Sequence, residues 1–204
     1  AVMLSDKVAF KNVISNGLVL DKNGNKMSKR KGNVVNPFEA LSQYGPDLVR
    51  WYMIENSPPW DNLKFDFDGI VEVQRRFFGT LQNTYSFFAL YANIDGYVKD
   101  ELNTVSPSQL SHLDRWIISK LQTLIVTKAY DEYEPTRAAR AIQEFVNDQL
   151  SNWYVRLNRK RFWKGDMSED KKAAYETLYE CLLVTAQLMS PIAPFYSERL
   201  YKNL

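Results

Sequence analysis

Apolar residues recur at helical spacing through most of this chain. From Gly69 to about Ile94, the residues Ile70, Val73, Phe77, Leu81, Tyr85 and Phe88 fall at steps of three and four. That spacing predicts one long amphipathic helix. Leu110, Leu113, Trp116, Ile117, Leu121, Leu124 and Ile125 make a second stripe, which breaks near Asp131-Glu132-Tyr133. Pro135 opens a third helix, with Ile142, Phe145, Val146, Leu150, Trp153, Tyr154 and Leu157 expected on one buried face. Ser168-Glu169-Asp170 caps a fourth, carrying Tyr175, Leu178, Leu182, Thr185 and Leu188. Ser190-Pro191 interrupts it, and Pro194 starts a terminal helix or turn.

The first sixty residues read differently. Val8 to Ile14 suggests a short helix or strand, and Leu18-Val19-Leu20 a strand. Asp21-Lys22-Asn23-Gly24 is a turn signal. Asn36-Pro37 can cap and open a short helix ending near Tyr44-Gly45. Pro46 opens another, with Leu48, Val49, Tyr52 and Met53 on one face, stopped by Ser57-Pro58-Pro59. Residues 61–68 form a linker with a short extended piece, and Asp66 or Asp68 can cap the long helix that begins near Gly69. The expectation is a mainly α protein. A small α/β edge occupies residues 1–60 and an antiparallel helical bundle occupies residues 61–204. The edge has too few strands to bury a sheet by itself, so the chain reads as a piece of a longer enzyme.

Composition narrows the chemistry. The chain has 204 residues, a 45% hydrophobic fraction and abundant aromatics, which excludes a disordered tail. Its 26 Lys+Arg against 24 Asp+Glu leave a net charge of only +2, so any nucleic-acid function must rest on local clustering. Cys181 is the sole cysteine and His112 the sole histidine. An internal disulfide, a cysteine-rich zinc site and a histidine-based cluster are therefore excluded within this chain. No apolar run approaches the ~18 residues of a membrane span, no secretory leader pattern opens the sequence, and a cytoplasmic setting is expected.

Two stretches carry candidate chemistry. Lys26-Met27-Ser28-Lys29-Arg30-Lys31-Gly32-Asn33 packs four cations, a hydroxyl and a glycine between ordered elements. Ammonium groups, a serine hydroxyl and backbone N–H groups freed by glycine all suit phosphate. Solvated surface is the plainer alternative for a lysine-rich loop. No Gly-Lys-Ser/Thr nucleotide loop and no G-x-G-x-x-G turn is present. The second stretch runs from Asn152 to Lys164. Arg156, Arg159 and Lys160 share a helix face, and Arg161 and Lys164 extend the patch. Asn152 and Asn158 can supply directional hydrogen bonds, and Phe162 and Trp163 could stack on bases or pack in the core. Cations near a helix C-terminus are also favoured by the helix dipole whatever the function.

Lys26-Met27-Ser28-Lys29-Arg30, with Gly24 before it and Gly32-Asn33 and Pro37 after it, resembles the Lys-Met-Ser-Lys-Ser loop of the class I aminoacyl-tRNA synthetases. Arg30 stands where serine is commonest. Tyr44-Gly45-Pro46-Asp47 and Leu48-Val49-Arg50 are similar to a shared class I pattern, with Pro46 where alanine is commoner. Trp153-Tyr154, Arg156, Arg159, Arg161, Phe162 and Trp163 resemble the isoleucine-specific members in particular. The run Ser190-Pro191-Ile192-Ala193-Pro194-Phe195 is shared also with the valine and leucine members.

The resemblance implies the end piece of a catalytic nucleotide-binding domain followed by an anticodon-binding bundle, the alternatives being a valine- or leucine-type member or a non-catalytic RNA-binding module of the same shape. It implies Lys26 and Lys29 as catalytic residues, and Lys26, Met27, Ser28, Lys29, Gly32 and Asn33 around ATP. It implies Asn152, Arg156, Arg159, Lys160, Arg161, Trp163 and Lys164 on tRNA(Ile). ATP would bring its own Mg2+, and no metal site is expected within the chain. The family's His-Ile-Gly-His type element is absent, since His112 stands between Ser111 and Leu113. The chain alone is therefore expected to be inactive and monomeric. Isoleucine and ATP would bind through regions not in this sequence. His112 reads as a partly exposed capping residue near a helix start, Cys181 as packing, and Asp66 and Asp68 as caps or turn formers.

Overall fold

The computed structural model describes residues 2–204 except 101, 103, 128 and 164. A four-residue helix, α1 (Val2–Ser5), opens the chain, and residues 6–18 form no regular element. The short helix or strand expected over Val8 to Ile14 is therefore not formed. Val8, Phe10 and Val13 are 66–75% exposed, and no described residue covers the face they would present. Strand β1 (Val19–Leu20) pairs parallel with β2 (Leu63–Lys64), placing Val19 beside Leu63 and Leu20 beside Lys64. Hydrogen bonds from Gly17 N to Pro59 O (2.8 Å), Leu63 N to Leu18 O (2.9 Å) and Phe65 N to Leu20 O (2.9 Å) fasten the two segments. A Cβ at Gly17 would lie 2.1 Å from the Asp61 carbonyl oxygen, so the close approach requires glycine.

Caps set the remaining boundaries. Asn36 accepts a 3.0 Å hydrogen bond from Phe38 N and opens α2 (Pro37–Tyr44). Gly45, at φ 80°, separates it from α3 (Pro46–Asn56). Asp66 accepts from Asp68 N and opens a continuous rod: α4 (Phe67–Val73), a π-helical turn (Gln74–Phe78) and α5 (Gly79–Asp95). Ser111 and Asp114 make a reciprocal capping box at α6 (His112–Ile125). A second rod joins α7 (Pro135–Glu144), a π-helical stretch (Phe145–Val155) and α8 (Arg156–Trp163). Ser168 caps α9 (Glu169–Met189), and α10 (Pro194–Asn203) completes the bundle.

The bundle packs around α9, whose buried residues include Ala173, Ala174, Tyr175, Leu178, Cys181, Leu182 and Thr185. The core does not stop at the bundle. Trp51 of α3 is fully buried, stacked on Phe77 at 4.4 Å between ring centroids and edge-on to Phe78. Polar bonds secure both ends of α3. At its start, Asp47 Oδ2 accepts from Tyr196 N (2.6 Å). One turn on, Arg50 donates to the carbonyls of Ile192 (2.7 Å) and Pro191 (3.0 Å). At its end, Thr136 donates to Ile54 O, and Arg140 donates to the carbonyls of Glu55 (2.9 Å) and Asn56 (3.1 Å). Carbonyls that a helix end leaves unpaired are thus taken up by α7.

The π-helical stretch corrects the face read for the third helix. Ile142, Val146, Leu150, Tyr154, Asn158 and Phe162 are all buried, at a constant spacing of four. An α-helix turns about 100° per residue, so each four-residue step overshoots by about 40° and the row would wind off the core. The wider π turn absorbs that drift and keeps the row inward. Trp153 and Leu157, expected on the buried face, are instead 58% and 55% exposed.

Candidate functional site

The basic loop is built on its own turn. Asp21 N donates to Asn25 O (2.9 Å) and Gly24 N to Asp21 O (2.9 Å), with Gly24 at φ 84°. The Asp21 carboxylate accepts from Asn23 N (2.9 Å), Asn25 N (2.8 Å) and Asn33 Nδ2 (2.8 Å). The Asn33 bond, together with the backbone N–H groups, holds this carboxyl below the usual carboxylate range against a small opposing effect of burial. Asn33 also closes the loop across its mouth. Its Oδ1 accepts from Ser28 N (2.9 Å), and its Nδ2 reaches Lys26 O (3.3 Å). Lys26 bridges antiparallel to Leu20, so the loop returns alongside β1.

Between these anchors, Lys29–Lys31 form one 3-10 turn, closed by Lys31 N to Ser28 O (3.0 Å) and Gly32 N to Lys29 O (3.2 Å). Gly32 is left-handed at φ 67°, a conformation that glycine adopts without strain. Met27 packs against the core, and Ser28 makes no side-chain cap hydrogen bond. Lys26, Lys29, Arg30 and Lys31 are exposed, and none forms an ion pair with another described residue. The loop thus uses its one acid to hold shape and leaves its cations unpaired. Exposed cations beside a glycine-bearing turn suit an anion.

The second candidate surface lies on the outer face of the long π/α rod. Asn152, Arg156, Arg159 and Trp163 succeed one another at steps of four, three and four, and all are exposed. Lys160, Trp153 and Leu157 are exposed beside them. The Trp153 ring lies 6.1 Å from that of Trp116 on α6. Guanidinium groups interleaved with accessible indoles suit a nucleic-acid strand, where cations meet phosphates and rings meet bases. Arg137 and Arg140, earlier on the rod, are turned to Glu132 and to the carbonyls of α3.

Two residues predicted for this surface are taken into the fold. Arg161 makes a two-pronged bond to buried Asp114, Nη1 to Oδ1 at 2.7 Å and Nη2 to Oδ2 at 2.9 Å, and also binds Asp170. Asn158 is buried, donating to Tyr154 O (2.8 Å) and accepting from Arg161 (3.1 Å). Burial pushes the Asp114 carboxyl up, but bonds from Arg161, Tyr154 and Ser111 outweigh it and hold the group below its ordinary range. Burial and the Asp114 charge push the Tyr154 hydroxyl well up, so it stays protonated and donates to Asp114 at 2.6 Å. Lys164 lies outside the described residues.

His112 is the first residue of α6 and exposed, with its ring beside Arg115, and Ser111 supplies the cap. Cys181 is wholly buried. Among the described residues, no group of three or more His, Cys, Asp or Glu could hold a metal ion. Lys64 belongs beside the loop although its place in the sequence does not suggest it. It lies on β2, far from the loop along the chain, and its side chain crosses the turn. A Cβ at Gly24 would meet Lys64 Cε at 3.2 Å and Nζ at 3.7 Å. A lysine inside an extended piece beside Asp61-Asn62 is the available sequence signal, and only the strand pairing gives it meaning. A groove of about 710 Å³ lined by Tyr44, Leu48, Phe78, Phe195 and Tyr196 lies at the junction of α3 and α10 and includes none of the loop residues.

Residues 1–66 match the family of class I tRNA synthetases (I, L, M and V), and residues 114–204 match the anticodon-binding domain of tRNA ligase. The chain is 69% identical over 204 residues to the isoleucine–tRNA ligase of Cytophaga hutchinsonii, covering 99% of this chain and 18% of that protein. It is 64% identical over 206 residues to that of Bacteroides fragilis, covering 100% of this chain and 18% of that protein. For the Thermus thermophilus ligase the identity is 47% over 205 residues, covering 100% of this chain and 20% of that protein. The chain therefore spans 18–20% of the length of these relatives.

The fold is shared with solved structures. The methionyl-tRNA synthetase of Mycobacterium tuberculosis in complex with methionyl-adenylate has a TM-score of 0.75 at 20% identity, covering 89% of this chain and 36% of that one. A leucyl enzyme of Agrobacterium radiobacter, in a ternary complex with tRNA and LeuAMS, has a TM-score of 0.67 at 21% identity, covering 92% of this chain and 22% of that one. One family match falls on the loop and a second on the bundle, and identity to isoleucine–tRNA ligases runs from end to end, so the chain is similar along its length to class I tRNA synthetases of the I, L, M and V group.

Proposed function

We propose that this chain is the part of an isoleucine–tRNA ligase that grips the phosphates of ATP and docks the anticodon arm of tRNA(Ile). Residues 1–60 are the end piece of the nucleotide-binding domain and residues 61–204 the anticodon-binding bundle. The proposed setting is the cytoplasm; separately, no described helix is long and apolar enough to cross a membrane. The observation that carries the reading is the pairing pattern of the loop. Asp21 is consumed by the turn and by Asn33, while Lys26 and Lys29 remain exposed and unpaired.

In the reaction, the isoleucine carboxylate attacks the α-phosphorus of ATP and displaces pyrophosphate, giving the aminoacyl-adenylate. A hydroxyl at the tRNA 3′ end then takes the acyl group and releases AMP. Charge builds on the pyrophosphate oxygens as the first bond breaks. Lys29 and Lys26 oppose that charge most strongly at the transition state, which is where binding accelerates a reaction. Ser28 donates its hydroxyl to a phosphate oxygen. Met27 seats the loop on the core, and Gly32 and Asn33 fix its ends. Mg2+ arrives with ATP. Removing Lys29 costs about 10²–10³ in rate in the complete enzyme. The isolated chain is inactive, because the amino-acid pocket lies elsewhere.

Asn152, Arg156, Arg159, Lys160 and Trp163 form the RNA-facing stripe, with Lys164 extending it, while Arg161 holds the helix in place from behind. The test is a salt-dependent titration of this chain with tRNA for isoleucine, against tRNAs for valine and methionine. The double variant Arg156→Ala/Arg159→Ala is run in parallel. The expected result is preferential binding of the isoleucine tRNA, weakened in the variant. The salt slope should fall by about one for each phosphate no longer neutralised. Equal weak binding of all three tRNAs, unchanged in the variant, overturns the assignment of this face.

A further inference from the structure

The register of the small sheet brings a cation to the loop from outside it. Leu20 pairs with Lys26 on one side and with Lys64 on the other. Residues in register on adjacent strands project to the same face, and each strand spacing is about 4.8 Å. Lys26 and Lys64 therefore flank Leu20 on one face, about 10 Å apart at the backbone. The opposite face carries Leu63, which is buried at 6% exposure, so the lysine face is the outward one. The Lys64 stem then lies over Gly24, with its ammonium at the base of the loop. Lys64 is exposed and forms no ion pair with another described residue. The nearest acid of the turn, Asp21, has both oxygens occupied by amide donors.

We propose that Lys64 is a phosphate-binding residue of the same site, supplied by β2, so that a di- or triphosphate is held between Lys64 on one side and Lys26 and Lys29 on the other. This rests on the loop being a nucleotide-phosphate site and adds a residue that neither the loop sequence nor its resemblance contains. The geometry also assigns Gly24 a second task. Besides turning the chain at positive φ, it leaves the surface bare where the lysine stem crosses. Two lysines set at fixed strand positions, with a third on the 3-10 turn, favour an extended oligophosphate over a monophosphate, since a longer anion offers oxygens to cations on both sides of the site at once.

The test is a titration of this chain with inorganic pyrophosphate and, separately, with inorganic phosphate, read from the backbone amide resonances of residues 24–33. The variants are Lys64→Gln, Lys64→Arg, Lys29→Ala and, as a remote control, the exposed Lys120→Gln. Lys64→Gln should weaken pyrophosphate binding about tenfold and shrink the gap between pyrophosphate and phosphate. Lys64→Arg should retain most of the affinity, and Lys120→Gln should change nothing. Melting temperatures should be equal throughout, because Lys64 is exposed. If Lys29→Ala weakens binding while Lys64→Gln matches the unaltered chain, the Lys64 assignment is overturned and the loop reading stands. If pyrophosphate leaves the loop resonances unmoved, or Lys29→Ala has no effect, the loop reading itself fails and takes Lys64 with it.

Discussion

Replacing Arg161 by alanine should cost more stability than replacing Arg156, Arg159 or Lys160, the exposed cations of the same segment. Asp114 is fully buried and receives both prongs of the Arg161 guanidinium, the Tyr154 hydroxyl and the Ser111 amide. Arg161→Ala leaves that carboxylate buried with its cation gone. Breaking a buried pair in this way costs about 3–5 kcal/mol, because the remaining charge is uncompensated. For a chain of this size each kcal/mol moves the midpoint by about 2–4 °C, so the melting temperature should fall by roughly 6–20 °C. The exposed Lys120→Ala should stay within about 0.5 kcal/mol.

The pH dependence supplies a second signature. In the native chain the Asp114 carboxyl is held low, so its contribution is present above the unfolded carboxyl range and is lost as pH falls through the lower folded value. Without Arg161, burial is no longer outweighed and the folded value rises. The folded variant then binds a proton that the unfolded chain does not, and its deficit shrinks as the solution is acidified from neutral. Urea melts followed by circular dichroism at neutral and mildly acidic pH measure both effects. A deficit below about 1 kcal/mol, or one that does not change with pH, would refute the dependence of Asp114 on this guanidinium.

The same geometry fixes three further outcomes. Arg50→Ala strips the carbonyls of Pro191 and Ile192 of their donor and should cost about 1–2 kcal/mol, seen as a lower urea midpoint at unchanged slope; no shift would mean that water replaces the guanidinium freely. Asn33→Ala should open the loop about tenfold more often, measured by hydrogen exchange at the Ser28 amide. It should also shift acid disruption of the Asp21 turn to higher pH, because the Asn33 bond does most to hold the carboxyl low and its benefit is lost only as pH falls through that depressed value. Cys181, wholly buried with its thiol pushed up, should react with a thiol reagent only as fast as the chain unfolds, and a native-state rate near that of free cysteine would contradict its packing.

Local rules read most of the helical plan from sequence, since the boundaries at Asn36-Pro37, Gly45-Pro46, Pro135, Ser168 and Pro194 are each set by residues within a few positions of the break, whereas at α6 the cap is Ser111 and not the His112 expected there. The features that local rules miss are nonlocal. Trp153 and Leu157 fit a 3.6-residue stripe, and only the sustained spacing from Ile142 to Phe162 betrays the wider turn that sends them outward. That row includes Asn158, a polar residue that a hydrophobic template passes over. Arg161 looks like a surface cation in any window of sequence, because its partner Asp114 sits on another helix and is itself disguised as a cap residue. Lys64 reaches the loop through a parallel pairing of two-residue strands too short to announce a register. The loop is legible because its cations, glycine and asparagine are contiguous. The face of the rod is legible in charge but not in which arginine turns inward.

The doubly fastened α3 bears on how this chain can be divided. A cut near residue 60, where the sequence changes character, would do more than sever the exposed segment there. It would lift Trp51 off Phe77 and Phe78, leave Thr136 and Arg140 facing solvent, and take Arg50 away from the turn before α10. The two halves behave as one casting, with α3 as its keel. Because α3 is held to the bundle at both ends, motion of the basic loop is expected between its glycine corners at Gly24 and Gly32 rather than at α3.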